Sequence, residues 1–188
     1  MTPALARGAN VALTRELPDL RQVVVGISWD PRTDPALADN VRLAAVLCGP
    51  GGTARGDDDL VFFNQLVSAD LSVAVTDDAG PGDIEQIEVD LRLVPGGIER
   101  AAFVLYLNEG SPKRRTLTQL RSCVVRVLDG ETGSTIVRSV DLVNELTTET
   151  AVILGELYRH RDDWKFRVVG QGHADGMTGL ARQFGLPA

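Results

Sequence analysis

Acidic side chains occur in three groups along this 188-residue chain, and they are the residues whose type and spacing could bind a metal ion. Asp57–Asp59 are consecutive, and Asp39 and Asn40 precede a run of apolar residues. The third group lies in a segment rich in glycine and proline and contains Asp77, Asp78, Asp83 and Glu85. Calcium takes about six to eight oxygen ligands from carboxylates, amides and backbone carbonyls. The clustering therefore permits a calcium site, although acidic loops that are merely solvated show the same clustering.

No catalytic motif accompanies these acidic groups. The sequence has no Gly-x-Ser-x-Gly elbow, no Walker phosphate-binding loop and no dinucleotide-binding glycine fingerprint. His160 and His173 stand apart, so we expect two surface histidines rather than a general base. Cys48 and Cys123 have apolar neighbours and no zinc-like spacing, which predicts buried, inert thiols. The sequence therefore predicts a protein that is not an enzyme.

The net charge of −7 restricts the class of partner. Phosphate contacts require clustered lysine and arginine, and the one basic cluster, at residues 113–115, lies in a loop-like segment. No apolar run reaches the roughly 20 residues that span a bilayer, and the N-terminal segment does not resemble a secretory signal. Free thiols favour a reducing compartment. We therefore expect a cytoplasmic protein that neither binds nucleic acid nor spans a membrane.

The elements that must position the acidic groups are short strands. Apolar runs are separated by Gly, Pro and Asp, which is typical of a sandwich or barrel. Val23, Val25 and Ile27 alternate with residues of the opposite face, as expected for a strand with one buried side. Strands are predicted at residues 11–13, 22–28, 42–47, 61–63, 73–75, 87–91, 100–107, 122–128, 135–140, 150–159 and 165–172.

Two further segments have helical patterns. Residues 175–185 place apolar side chains at helical spacing, with Asp175 as the N-cap and Gly185 as the stop signal. Residues 142–147 are compatible with a short helical turn. Because neither segment alternates with strands, a parallel doubly wound sheet is not expected. The prediction is an all-β fold, an antiparallel two-sheet β-sandwich with a short C-terminal helix, in a single domain over residues 1–188.

Four segments occur in an order that is typical of one known family. The opening LARGANVAL is similar to a Leu-x-Lys-Gly-x-Asn-x-x-Leu start, and VVVGISWDPR to a Val-Gly-x-x-Trp-Asp segment. DLVFFNQLVS is similar to an Asp-Phe-Val-Phe-Tyr-Asn-Gln motif, and the long block from TGSTIVRSVDL to ARQFG gives the most specific match. From about residue 5 to residue 185 the chain resembles the tellurium-resistance (TerD) family.

The resemblance implies an antiparallel sandwich whose loops bind calcium at one end. It also implies a bacterial cytoplasmic stress protein linked to tellurite, phage or envelope stress. The family is not known as a set of enzymes. Other proteins of a stress-response complex are the implied partners.

The metal ligands implied by the resemblance are only partly present. The family's Asp-Leu-Asp-Ala-Ser stretch aligns with residues 39–43, where Val41 and Leu43 replace the second Asp and the Ser. In the loop at residues 76–85, Ile84 replaces an acidic residue. Asp59 and Asn64 also match family positions, and they either ligate an ion or brace the start of a strand. The residual ligand set is Asp39, Asp77, Asp78, Asp83 and Glu85.

Two functions stay open at this point. The first is a calcium-binding stress-response module with weakened affinity, because each lost carboxylate removes oxygen ligands and charge, so that at most one ion binds well. The second is a protein-interaction module that has lost calcium binding. In that case Val41, Leu43 and Ile84 pack where ion ligands once pointed.

Overall fold

Alternating apolar residues fold into twelve short strands and two helices, and the structure, a computed structural model, describes residues 4–110 and 115–187. The helices are α1 (Pro35–Asn40) and α2 (Met177–Phe184). The strands are β1 (Ala4–Leu5), β2 (Asn10–Ala12), β3 (Gln22–Trp29), β4 (Val41–Cys48), β5 (Leu60–Val61), β6 (Val73–Val75), β7 (Glu85–Asp90), β8 (Arg100–Leu107), β9 (Cys123–Asp129), β10 (Thr135–Ser139), β11 (Ala151–His160) and β12 (Asp163–His173).

The strands form two six-stranded sheets, which confirms the predicted sandwich. The first sheet has the order β1-β10-β9-β3-β7-β6, and the second has the order β2-β12-β11-β8-β4-β5. The pairs between the described strands are antiparallel, except that the two-residue edge strand β1 pairs with β10 in parallel. Every predicted strand has a counterpart within a few residues of the predicted bounds.

The main core lies between the two sheets. Val23, Val25 and Ile27 of β3 are fully buried on one face, as the alternation predicts. From the second sheet, Phe103 and Phe166 enter the same core with their ring centroids 6.5 Å apart. Burial of such side chains from both sheets stabilises the sandwich and fixes which face of each strand turns outward.

A second, smaller core lies on the outer face of the second sheet, beneath α2. Leu180 and Phe184 of α2 pack there against Val46, Tyr106 and Ile153. A left-handed Gly185 ends the helix, as predicted, and its N–H donates to the carbonyl groups of the last turn.

One local prediction is wrong, one is refined, and one helix was not predicted. The N-cap of α2 is Gly176 rather than Asp175, whose carboxylate lies 3.5 Å from the Arg182 guanidinium instead. Residues 142–147 contain only a 3₁₀ turn, Val143–Glu145. Helix α1 was not predicted, because six residues are too few for a periodic signal.

No helix among the described residues is both long and apolar enough to cross a membrane.

Candidate metal centre

Asp83 of the predicted metal loop is almost fully buried, with 1% of its side chain exposed. Its Oδ1 accepts a hydrogen bond from Arg126 Nε at 2.7 Å, and its Oδ2 accepts from Arg126 Nη2 at 3.0 Å. Gln86 Nε2 also donates to Oδ2, at 2.6 Å. The two-pronged guanidinium–carboxylate pair is the strongest and most directional kind of ion pair in proteins. Both oxygens of this candidate ligand are therefore occupied by protein donors.

A glycine makes this arrangement possible. Gly26 of β3 is paired with Gln86 of β7 on one side and with Arg126 of β9 on the other. The Asp83 carboxylate lies directly over Gly26, and a Cβ at that position would be 2.0 Å from Oδ2. The loop is held there because Ile84 N–H donates to Ile27 O at 2.8 Å. Three neighbouring strands thus build one cradle for a single carboxylate.

Glu85, at the start of β7, joins the two sheets. Its Oε2 accepts a hydrogen bond from the Leu43 backbone N–H of β4 at 2.6 Å. Arg42 Nη1 lies 3.9 Å from Oε1. Burial raises the pKa of Glu85 above its usual value, while the Leu43 N–H and the positive charge of Arg42 act in the opposite direction. A second candidate ligand is therefore also occupied by groups of the chain itself.

The other candidate ligands are dispersed. Asp39 is exposed in the last turn of α1, and Asn64 is exposed in a tight turn after β5. Asp77 and Asp78 are exposed, and neither carboxylate has a hydrogen-bond or ion-pair partner in the part of the chain that the structure describes. Asp59 is buried and accepts from Arg55 N, Nε and Nη2 at 2.6, 3.0 and 2.6 Å, which is the geometry of a brace.

These residues do not fit a preformed calcium site. Within residues 4–110 and 115–187, no group of three or more His, Cys, Asp or Glu side chains could hold a metal ion. The buried carboxylates already have protein donors, and the exposed ones complete no group of three with them among the described residues. Calcium needs several oxygens converging on one point. Whether the predicted ligands bind an ion in solution stays a prediction.

The apolar replacements behave differently from one another. Val41 and Leu43 are 0% and 3% exposed and belong to the main core, as the second hypothesis expects. Ile84 is 46% exposed, so the expectation that it packs inside is wrong. Its neighbours bind protein groups instead: Asp83 lies over Gly26 on the outer face of the first sheet, and Glu85 accepts a hydrogen bond from the Leu43 N–H of the second sheet.

Sequence reasoning missed the two arginines and a tyrosine beside one of them. Arg42 and Arg126 each interrupt an apolar strand, which is a signal that could have been noticed. Tyr106 is the cross-strand neighbour of Arg42, and its Oη is buried without a partner among the described residues. Burial raises the pKa of Tyr106 to about 12, and the nearby Glu85 acts in the same direction.

The remaining reactive groups offer little chemistry. Cys48 and Cys123 are free and buried, as predicted, and burial raises the pKa of each thiol to about 12, so neither forms a thiolate at neutral pH. His160 is exposed as predicted, but His173 is only half-exposed and its Nε2 is buried, so the surface prediction is wrong for that residue.

Arg115, the one residue of the predicted basic cluster that the structure describes, does not contribute an unpaired positive charge. Arg115 Nε lies 2.8 Å from Asp34 Oδ2, and its Nη1 lies 2.5 Å from Glu109 Oε1. Two carboxylates therefore balance its charge. Lys113 and Arg114 lie outside the described residues.

Comparison with known proteins settles the family. A family model described as the TerD domain matches residues 1–184. This chain belongs to the TerD family. It is 35% identical to the tellurium resistance protein TerD of Serratia marcescens over the whole of both chains. It is also 35% identical to general stress protein 16U of Bacillus subtilis (strain 168), over 99% of this chain and 98% of that protein.

Solved structures of similar proteins support the TerD-type fold. The crystal structure of a homologue of telluride resistance protein (TerD) from Streptomyces coelicolor A3(2) has a TM-score of 0.65. The two chains are 19% identical, and the match covers 86% of this chain and 95% of the other. The sandwich predicted from the TerD resemblance is therefore confirmed.

An aspartate outside the predicted ligand set gives this TerD-family chain a testable acid sensitivity. Burial alone would raise the pKa of Asp70, but hydrogen bonds from Ser72 and Ser68 and the charge of Arg55 outweigh it and lower the pKa below the usual 3.8. A carboxyl group whose pKa is lower in the folded state stabilises the fold above the unfolded pKa. That contribution is lost as the pH falls through the folded pKa.

We expect Asp70→Asn to lower the free energy of unfolding at neutral pH by about 1–2 kcal/mol, because buried hydroxyl and amide donors lose a charged acceptor. The variant is also expected to lose less stability than the wild type below about pH 4. Urea unfolding across a pH series measures both effects. Asp58→Asn, which changes an exposed carboxylate of the same segment, is the control. Equal acid sensitivity in Asp70→Asn and wild type contradicts the prediction.

Proposed function

We propose that this chain acts in a stress response of the tellurium-resistance type, as a protein-interaction module that works without calcium. The observation that carries this proposal is the ion pair between Arg126 and the buried Asp83. Its relatives named for tellurium resistance and general stress support the physiological setting. Other proteins of a stress-response complex in the bacterial cytoplasm are the partners we infer.

The physical argument concerns charge. Buried carboxylates are costly unless a positive charge or several donors compensate them. In the family pattern a calcium ion would supply that charge. In this chain the Arg126 guanidinium binds both oxygens of Asp83, and Arg42 lies 3.9 Å from Glu85. An incoming calcium ion would first have to displace Arg126, and this competition lowers its affinity.

We also infer a role without catalysis. The two thiols are buried and protonated at neutral pH, and no three described His, Cys, Asp or Glu side chains come together as a group that could hold a metal ion. Catalysis needs a nucleophile or a base beside a substrate cleft, held in a defined geometry. These residues fit a stable sandwich that presents a binding surface better than they fit a catalytic site.

Calcium is expected to leave the stability of the chelator-treated protein nearly unchanged. A ligand that binds only the folded state raises the melting temperature, so a chain without a site shows no rise. Differential scanning calorimetry with millimolar calcium or with a chelator measures this. The matched variant is Arg126→Met, which frees the Asp83 carboxylate and is expected to gain a calcium-dependent rise in melting temperature. A clear rise in the wild type would overturn calcium independence.

A weak calcium site is the second candidate, because Asp77 and Asp78 are exposed and have no partner in the described structure. It predicts a saturable heat of binding when calcium is titrated into the chelator-stripped wild type. It also predicts that Asp77→Asn with Asp78→Asn abolishes that heat. The two candidates therefore differ in one calorimetric titration.

A further inference from the structure

Residues 62–72, which connect β5 of the second sheet to β6 of the first, carry most of the large apolar side chains that the described chain exposes. Seven such side chains are exposed, and four belong to this connection, so the exposed apolar surface is concentrated there. They are Phe63 at 43%, Leu66 at 47%, Val67 at 44% and Leu71 at 68% exposure. We call these four residues the apolar edge surface. Exposed apolar patches on a soluble fold mark places where another molecule binds.

Backbone hydrogen bonds hold the apolar edge surface in a fixed shape. Phe62 and Gln65 exchange backbone hydrogen bonds of 3.0 and 2.9 Å, which places Phe63 at the tip of a tight turn. The Leu66 carbonyl then accepts from Val75 N–H of β6 at 2.8 Å. A surface that is already ordered loses little conformational entropy when a partner binds. The connection is therefore built as a rigid platform rather than as a loose loop.

Leu71 is held in a conformation that leucine disfavours. Its φ is +65°, in the left-handed region that suits glycine or asparagine. The Asp70 carboxylate fixes the turn by accepting from Ser68 Oγ at 2.8 Å and from Ser72 N–H at 2.9 Å. The leucine side chain gains little packing in return, because it is 68% exposed. Backbone strain that yields little internal packing points to a use outside the molecule.

Negatively charged residues flank the apolar edge surface on both sides along the chain. Residues 55–78 contain six aspartates and one arginine, and that arginine, Arg55, is paired with Asp59. Asp57 and Asp58 are exposed before β5, and Asp77 and Asp78 are exposed after β6. Most of the net charge of −7 is therefore concentrated in the segment that also exposes the apolar side chains.

We propose that the apolar edge surface docks a protein segment in which apolar side chains alternate with lysine or arginine. Opposite charge around an apolar centre gives both attraction and specificity. Nucleic acid and anionic lipid are disfavoured because they carry the same sign of charge, and a second copy would bring its own aspartates against these. A groove of 360 Å³ beside the surface, between Phe62 and Leu186 and bordered by Asp57, accepts one apolar side chain of the segment. This inference rests on the proposed function and names the chemistry of its partner.

The test is fluorescence anisotropy of a short labelled peptide in which leucine alternates with lysine, added to the full chain. We expect binding that weakens as salt is added, and no binding of the matched peptide with glutamate in place of lysine. Leu71→Asn removes the apolar group but suits the left-handed backbone, so it is expected to fold at least as stably. It is expected to weaken peptide binding about tenfold, as removal of a central contact does.

Leu17→Ser is the matched control, because Leu17 is also exposed, at 39%, but follows β2 at the opposite edge of the second sheet from β5. It is expected to bind the lysine peptide as the wild type does. Equal binding to the Leu71→Asn and Leu17→Ser variants, equal binding of both peptides, or no binding at millimolar peptide overturns the proposal. Self-association of the wild type that Leu71→Asn abolishes, or binding to anionic vesicles, also overturns it. Each of these results leaves the calcium titration unaffected, so the two proposals fail separately.

Discussion

Replacing Arg126 with methionine is expected to lower the free energy of unfolding by about 3–5 kcal/mol, the usual cost of leaving a buried charge without its partner. Asp83 is 1% exposed and receives two of its hydrogen bonds from this guanidinium. Only Gln86 Nε2 would remain as a donor from another side chain. For a domain of this size we expect the melting temperature to fall by about 10 °C.

Urea denaturation at neutral pH measures the effect, and Arg92→Met provides the control. Arg92 also forms a two-pronged ion pair, with Asp90, but its side chain is 61% exposed. Exposed pairs contribute little, so this control is expected to cost far less than Arg126→Met. Adding Asp83→Asn to Arg126→Met is expected to recover part of the lost stability, because no unpaired charge then remains. If Arg126→Met costs no more than Arg92→Met, the cradle does not stabilise the fold.

Substituting Gly26 with alanine is the change with the second-largest expected effect. Its Cβ would lie 2.0 Å from Asp83 Oδ2 and 2.5 Å from Asp83 Cγ, so the carboxylate must leave its position between Arg126 and Gln86. Loss of this ion pair together with local overpacking is expected to cost about 2–4 kcal/mol. Chemical denaturation of the variant measures the cost directly.

The control for this variant is Gly96→Ala, since a Cβ at Gly96 meets no heavy atom within 4 Å. An alanine there restricts the unfolded chain and is expected to change stability by about 1 kcal/mol or less. The mechanism is tested by combining Gly26→Ala with Arg126→Met. Because the second change has already broken the pair, we expect the alanine to cost at least about 1 kcal/mol less in that background. If the free-energy costs of the two substitutions simply add in the double variant, Gly26 does not act through the Asp83–Arg126 pair.

The strands could be predicted from sequence because their alternation reflects local geometry. In β3 the residues Val23, Val25 and Ile27 repeat every second position, and the structure buries all three. The C-terminal helix could be predicted equally well, since Leu180 and Phe184 lie on one helical face and Gly185 ends the helix. Strand β1, with two residues, carries no periodic pattern, and its parallel pairing with β10 depends on the folded chain.

The candidate site could be predicted only in part. The sequence shows which carboxylates cluster, but Asp83 and Arg126 are 43 residues apart and meet because β9 lies beside β3 in the sheet. The space for their pair exists because Gly26, the cross-strand neighbour of Arg126, has no side chain beneath the Asp83 carboxylate, which no local pattern reveals. Composition therefore indicated an ion-binding loop, whereas the pairing of the strands in the folded chain brings Arg126 to the Asp83 carboxylate.

The placement of the two cysteines on opposite sides of the second sheet has a consequence for oxidation. Cys123 belongs to the core between the sheets, and Cys48 belongs to the core beneath α2. A layer of strands separates the two sulfur atoms, so the folded chain cannot close a disulfide between them. We expect an alkylating reagent to reach Cys48 when α2 detaches from the sheet, and to reach Cys123 only when the two sheets separate. The alkylation rates of the two thiols would therefore report two different opening events in one molecule.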